Sequence, residues 1–489
     1  MKKGMTMLSI CCIALCLIAT TVTPAMSQER DQHGYPKAET YVPSFQAIEK
    51  VKKRFDDPSP VVMKINPKTF LPKSMYEELA PVSKETLSKE WAEVVGFKAP
   101  DLVGKIYPEI KPGKYTYKDV QNNPAFKELM TPGLYRQIGP PGTVDFAGNI
   151  SEFEIVPTQQ YYYNYSVIKA TRENQGKTKL KANGYLDWNT YVAGLPFPRP
   201  SGPQKAYQIM YDVEKRYVNS EDQYQVFRND GFKNGKQDYQ VSMVVRSKKL
   251  WGRTTFKPYG IYDNRAKEKG EIRTFIISFL SPRDTAGVTQ SAVYYMDPDK
   301  PDNLMLYMPA MRRIRKLTSS DTQDPMIGQD NTYDDNEGFM QKLSATRYPY
   351  KMEVIGEREF LTYSPSVDGS QYVTSKGEFK NIKLERRPMY VVQLTQLDPS
   401  YVYSKRVIYV DKEMLIYHEL QTYDRKGRLY RMFQTAWTFF PDVGSWWLHG
   451  APQLTRDYID KHSTVFQGLC FPAVWDRSDL SLERFMSAK

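Results

Sequence analysis

Apolar positions follow two different periods along this chain. Over residues 28–137 they recur at helical intervals broken by turns. Residues 83–95 read as one helix, with Leu87, Trp91, Val94 and Val95 near helical spacing and Gly96 placed to end it. Asn123-Pro124 predicts the cap and first turn of a short helix running to residue 130. Helices this short build no core alone, so they are expected to pack on the C-terminal part of the chain.

After Gly139-Pro140-Pro141-Gly142 the period shortens to that of strands. Residues 274–280 alternate Phe275, Ile277 and Phe279 with Thr274 and Ser278, while Ile276 signals that the second face is also partly covered. Residues 291–296, 304–308 and 389–397 repeat the habit. Over 401–440 three strands are punctuated by Asp411-Lys412-Glu413 and Asp424-Arg425-Lys426-Gly427, the pattern of an antiparallel meander, and Leu429, Phe433, Trp437 and Phe439 are expected on one face of the last. No fixed-period repeat occurs, which argues against a propeller or solenoid. The pattern predicts a mainly β protein: one large curved antiparallel sheet, with a few covering helices and at least one long loop over its concave side.

The first thirty residues change the picture. Lys2 and Lys3, an apolar run over 5–22 and then Ala25-Met26-Ser27 make a cleaved export leader, with the mature chain beginning at Gln28. The expected organisation is a signal peptide over 1–27, a helical N-terminal segment over 28–138 packed on the sheet, and a β domain over 139–489. Removing the leader takes two lysines from the net charge of +12, leaving +10, and takes three of the four cysteines. Cys11, Cys12 and Cys16 lack the Gly or Ala that precedes a lipid-attachment cysteine, and Cys470 alone cannot form an internal disulfide, so stability rests on a large core. With 36 Tyr and 22 Phe against 4 His, the chain is rich in strand residues and poor in metal ligands, and no cofactor is expected.

Three groups of residues carry candidate chemistry. Phe275, Ile277, Phe279, Phe433, Trp437 and Phe439 are the expected wall of an apolar ligand cavity, the alternative being ordinary core. Arg312, Arg313, Arg315 and Lys316 suit docking of an acidic partner or lipid headgroup, because the arginine fork matches carboxylate and phosphate. The alternative is compensation by the next loop, with Asp321, Asp324, Asp330, Asp334, Asp335 and Glu337, and the two readings combine into a latch. Third, Asp457, Asp460 and His462, with Cys470 downstream, form the most suggestive catalytic constellation, but their spacing matches no zinc or cysteine-nucleophile signature. His418 alternates with Ile416 and Leu420 as a core histidine would, and His449 comes after Trp446-Trp447 in an expected turn. No phosphate loop, nucleophile elbow or dinucleotide fingerprint is present, nor any nucleic-acid recognition signature.

Tyr191-Val192-Ala193-Gly194-Leu195-Pro196-Phe197-Pro198, the stretch from Leu306-Tyr307-Met308-Pro309 through Ala310-Met311-Arg312-Arg313-Ile314-Arg315, and Thr332-Tyr333-Asp334-Asp335 resemble a Gram-negative export family, domain of unknown function thirteen-twenty-nine. That family is distantly similar to the periplasmic lipoprotein carriers LolA and LolB. The resemblance implies an open half-barrel around a few helices, an apolar cavity for acyl chains, and partnership with exporters of the resistance-nodulation-division type. The expected function is thus a non-catalytic periplasmic carrier or chaperone for a lipid or other hydrophobic molecule in envelope lipid trafficking, with transient contact at the outer membrane. The competing readings are an exported hydrolase using the His462 region and a cell-envelope polysaccharide-binding module. Export itself gives a test: the protein recovered from the periplasm should have Gln28 as its N-terminal residue by intact mass, and a retained Met1 would contradict the leader.

Overall fold

In the computed structural model, described over Glu77 and residues 79–142, 145–217, 221–318, 321–335, 339–365, 371–447, 453–473 and 475–483, the chain is built on one sheet of fifteen strands. In chain order these are β1 (Gly113–Thr116), β2 (Glu152–Ile155), β3 (Asp222–Lys233), β4 (Lys236–Lys249), β5 (Glu271–Ser281), β6 (Thr289–Tyr295), β7 (Asn303–Met308) and β8 (Arg313–Leu317). The second half supplies β9 (Tyr350–Tyr363), β10 (Ile382–Gln396), β11 (Lys405–Asp411), β12 (Tyr417–Tyr423), β13 (Leu429–Thr435), β14 (Gln453–Asp457) and β15 (His462–Pro472). The leader and its cleavage site, His449 and Glu337 lie outside the described residues.

Strands β3 to β8 form one antiparallel run, β9 to β15 another, and the last strand, β15, pairs with β3 to join them. The outer edges of the joined runs are therefore β8 and β9, neighbours in sequence that do not pair, so the sheet stays open and is not a closed barrel. Between these edges, the described residues of the 318–349 segment (318, 321–335 and 339–349) form a long strap. Among the described strands the sheet departs from the expected all-antiparallel pattern at one place: the antiparallel β1–β2 pair joins the start of β10 through a parallel β2–β10 ladder, which makes the sheet mixed.

Three longer helices, α1 (Lys84–Val95), α2 (Tyr165–Asn174) and α3 (Lys205–Lys215), share a core with β9 to β13. Gly96 ends α1 as expected, at φ 93°, while Ser83 stands one position before the helix as its cap, its hydroxyl accepting from the Thr86 amide. Leu87, Trp91, Val94 and Val95 are all buried. Shorter helical turns between Tyr117 and Tyr135 pack in a second core with Phe153, Leu361 and Leu454. Phe360, Met389, Val391 and Tyr409 form a further apolar cluster, so β10 and β11 bury both faces, and their apolar stretches over 389–392 and 407–410 are continuous.

Buried ions lock the first helix to the sheet. Arg387, with no exposed side-chain surface, lies within ion-pair distance of Glu385 (3.2 Å), Asp411 (2.7 Å) and Glu413 (2.8 Å). The Glu413 carboxylate accepts from the amides of Ala99 and Tyr161, and its carbonyl accepts from the Trp91 indole. His418, as expected, is a core residue, 3.5 Å from Asp411.

The glycine of the Gly194-Leu195-Pro196-Phe197 segment has a steric reason. At φ 82°, its position for a Cβ falls 2.6 Å from the Thr171 backbone nitrogen in α2. The close approach is held by hydrogen bonds: the Gly194 amide donates to the Tyr217 hydroxyl at 2.9 Å, and the Leu195 amide to the Thr171 hydroxyl at 3.0 Å. Gly194→Ala should therefore lower the unfolding free energy by more than about 1 kcal/mol, read from urea melts against wild type.

Candidate functional site

The register of the sheet sets which side chains face the strap. Leu420, Phe433, Thr455 and Thr464 lie opposite one another across β12 to β15. The same face continues through Phe227 and Met243 to Phe279, and through Gln225 and Val245 to Ile277. Successive residues in a strand point to opposite faces, so this one inner face collects apolar side chains from both halves of the chain, with Gln225, Thr455 and Thr464 among them.

The strap is fastened to that face by polar contacts. Arg406 on β11, fully buried, donates to Gln341 and Tyr350 through one nitrogen and to Asp335 (3.3 Å) and Tyr401 (2.9 Å) through the other. Asp335 also accepts from Thr332 and Tyr403, and Asp334 accepts from Tyr401 at 2.7 Å. Asp330 accepts from Thr464 and sits 2.7 Å from His462 Nδ1, while Asp238 lies 3.1 Å from Nε2 of the same ring. Asn229 donates to Gln329 at 2.9 Å. Removing one partner of a buried ion pair costs about 3–5 kcal/mol, so Arg406 is the strongest of these ties.

Between strap and sheet lie two chambers. One, of about 70 Å³, is mainly apolar, walled by Phe227, Met243, Val245, Phe275, Ile277 and Phe433 from the sheet and by Met326 and Met340 from the strap. The other, of about 170 Å³, is polar and aromatic, with Tyr191, Tyr217, Trp251, Lys215, Lys249 and Lys342 in its wall. Arg273 and Met340 belong to the walls of both.

Of the six residues expected to line a cavity, Phe275, Ile277 and Phe433 therefore face the apolar chamber. The other three lie elsewhere. Phe279 is buried on the same face in a cluster with Val241 and Ala292. Trp437 is fully buried in the helix core, its indole donating to the Tyr417 carbonyl at 2.9 Å, and Phe439 packs edge-on against Tyr161 and Tyr162. The alternation over 429–440 fails because β13 ends at Thr435, and residues 438–440 pair with 445–447 in a separate two-stranded ladder.

Arg313, Arg315 and Lys316 lie on the exposed edge strand β8, and Arg312 in the turn before it has φ 49°. The expected folding-back of the acidic loop onto them is corrected for three of its members: Asp330, Asp334 and Asp335 reach His462, Tyr401 and Arg406 on or beside the central strands. A strap that covers an apolar face must cross it, and the desolvated Arg406 is a stronger attraction than four solvated cations.

The hydrolase constellation is also taken apart. Both His462 nitrogens are engaged by carboxylates, Asp457 pairs with Arg431 at 3.0 Å, and Cys470 is fully buried eight positions along the same strand, about 26 Å from His462 in extended chain. Among the described residues no cluster of three or more His, Cys, Asp or Glu could hold a metal ion, and no helix is long and apolar enough to cross a membrane. Sequence reading misses the strap ties and the polar chamber. The parity of β4, which puts Lys249 on the face of Met243 and Val245, is the available signal.

Residues 119–468 match a family model described as Protein of unknown function (DUF1329). No curated protein matches the sequence. Among solved structures the chain is similar to a Vibrio parahaemolyticus domain described as a putative outer membrane lipoprotein-sorting protein domain, with 16% identity over 58% of this chain and 99% of that one and a TM-score of 0.41. It is similar also to a DUF1329 family protein from Desulfovibrio piger, with 18% identity over 54% and 92% of the two chains and a TM-score of 0.38. A LolA superfamily protein from Nitrosomonas europaea has 13% identity over 57% and 98%, with a TM-score of 0.35.

The titratable strap ties share one sign. Burial opposes charge on His462, but the carboxylates of Asp330 and Asp238 outweigh it and hold its pKa above the ordinary value. Burial pushes the Asp334 carboxyl up to about 7, against the pull of the Tyr401 hydroxyl and Arg406. The His462 contribution is whole below the free-imidazole pKa and is lost as pH rises through the folded one; the fold favours protonated Asp334, so its contribution too falls as pH climbs toward 7. Amide-exchange protection factors over 326–335 should therefore fall as pH rises from about 4 toward 7, through the raised pKa of Asp334, and fall further through that of His462, and His462→Gln should remove the latter part.

Proposed function

We propose, for a chain that belongs to the family described as Protein of unknown function (DUF1329), that it is a non-catalytic carrier shielding a lipid or other hydrophobic molecule between membranes. The observation that supports this is the apolar chamber, walled by both halves of an open sheet and roofed by a strap. Burying a methylene gains about 0.8 kcal/mol, so a chain of about ten gives substantial affinity that needs a means of release. A roof held by side-chain ties, two of which weaken as pH rises through the raised pKa values of Asp334 and His462, is such a means, because it can loosen while the strand ladders stay paired.

In this reading the leader delivers the protein to the periplasm. The exposed Arg312, Arg313, Arg315 and Lys316 at the β8 edge meet an acidic partner or an anionic membrane surface. An exporter of the resistance-nodulation-division type is the partner that the family resemblance implies.

Ile277 is the wall residue to test. Ile277→Trp should fill the chamber and weaken binding of a fluorescent fatty acid by about tenfold or more, while the overpacking costs about 1–3 kcal/mol of stability and leaves the protein folded. Solvent extraction of detergent-free wild type should release a hydrophobic compound. No extractable lipid together with no probe binding by wild type would remove the carrier reading.

A further inference from the structure

The polar chamber has a charge pattern that packing does not explain. Among the described residues, Lys215, Arg216, Lys249, Arg273 and Lys342 line it against two carboxylates, Glu214 and Glu221. Most of these charges are engaged. Lys215 pairs with Glu214 at 2.8 Å and Lys342 with Asp302 at 2.7 Å. Glu221 is enclosed by the amides of Thr254, Thr255 and Phe256 and by nearby Arg253.

Lys249 differs from its neighbour. Lys248, on the opposite side of β4, is buried and donates to Asp222 (2.6 Å) and the Trp475 carbonyl. Lys249 lines the chamber with no carboxylate within ion-pair distance among the described residues, and its ammonium lies 3.5 Å from the Tyr217 ring centroid. Directly opposite it across the ladder stands Arg273. Like charges at directly paired positions destabilise a sheet. Burial pulls the Lys249 ammonium down to about 7, with Lys215, Arg253 and Arg273 adding to the shift and Glu221 opposing it. An anion beside Lys249 would relieve both penalties at once.

We propose that this chamber receives the anionic head, a phosphate or carboxylate, of an amphiphile whose tail occupies the apolar chamber, with Lys249 as the residue that pairs with the head. The proposal rests on the carrier reading and adds the class of cargo. Arg273 and Met340 form the wall between the chambers, and both side chains are long and unbranched at the shared boundary, so a ligand spanning the two displaces only flexible groups.

The experiment uses the full mature chain and three probes below their micelle concentrations: dodecyl phosphate, dodecanol and inorganic phosphate, with affinities measured calorimetrically. Wild type should bind dodecyl phosphate about tenfold or more tightly than dodecanol, since a hydrogen bond to a charged group is worth that factor. Lys249→Met should erase most of the difference by weakening the phosphate alone, and Lys249→Arg, which keeps the charge, should retain it. Equal affinity of wild type for dodecyl phosphate and dodecanol, or an undiminished preference in Lys249→Met, overturns the head-group assignment and leaves the carrier standing. Inorganic phosphate binding as tightly as dodecyl phosphate overturns it as well, because the site would then serve a small anion without a tail. Binding of no probe removes both readings. If Lys249→Met fails to fold, the wild-type comparison and Lys249→Arg still decide.

Discussion

A fully buried guanidinium fastens the strap to the sheet, and the arrangement of the interior depends on that contact. Arg406 has its charge met by Asp335, and its two terminal nitrogens also donate to Gln341, Tyr350 and Tyr401, with the rings of Phe339 and Tyr403 also against it. Three of these partners, Asp335, Phe339 and Gln341, belong to the strap, and Tyr350 is the first residue of the next strand. The sheet does not close on itself: its edge strands, β8 and β9, are the two that the strap connects, and they do not pair. A covering segment held at its centre is therefore what keeps water from the inner face, and the desolvated ion pair fixes where that centre lies.

The same geometry separates two environments over a short distance. Strands β4 and β5 turn apolar residues inward along most of their length, with Lys249 and Arg273 at one end, so that part of the sheet face is oily in its middle and cationic at that end. That polarity matches an amphiphile better than a plain hydrocarbon. The strap spans both regions, and its titrating ties, Asp330 to His462 and Asp334 to Tyr401, sit beside the apolar part.

Much of the architecture is legible along the chain. The apolar stripe and the terminal glycine locate α1, two charged turns locate the meander of β11 to β13, and the short period locates β5 to β7, because each of these signals depends on residues close in sequence. Alternation alone puts Phe275, Ile277 and Phe433 on a wall, and each faces the apolar chamber. It misplaces Trp437 and Phe439 for the same local reason: the alternation runs on past Thr435, where the chain leaves the ladder.

The sequence by itself determined the element types, the mainly β character and the open sheet covered by a long loop, since hydrophobic period, turn residues and the family motifs are encoded within short windows. Only the tertiary structure decided that β15 joins β3, that Asp335 meets Arg406 rather than the arginines some twenty residues before it, and that Lys249 lies opposite Arg273. Those pairings connect positions tens to hundreds of residues apart. Which carboxylate finds which cation is set by desolvation in the folded interior, and that quantity exists only once the sheet and strap have come together.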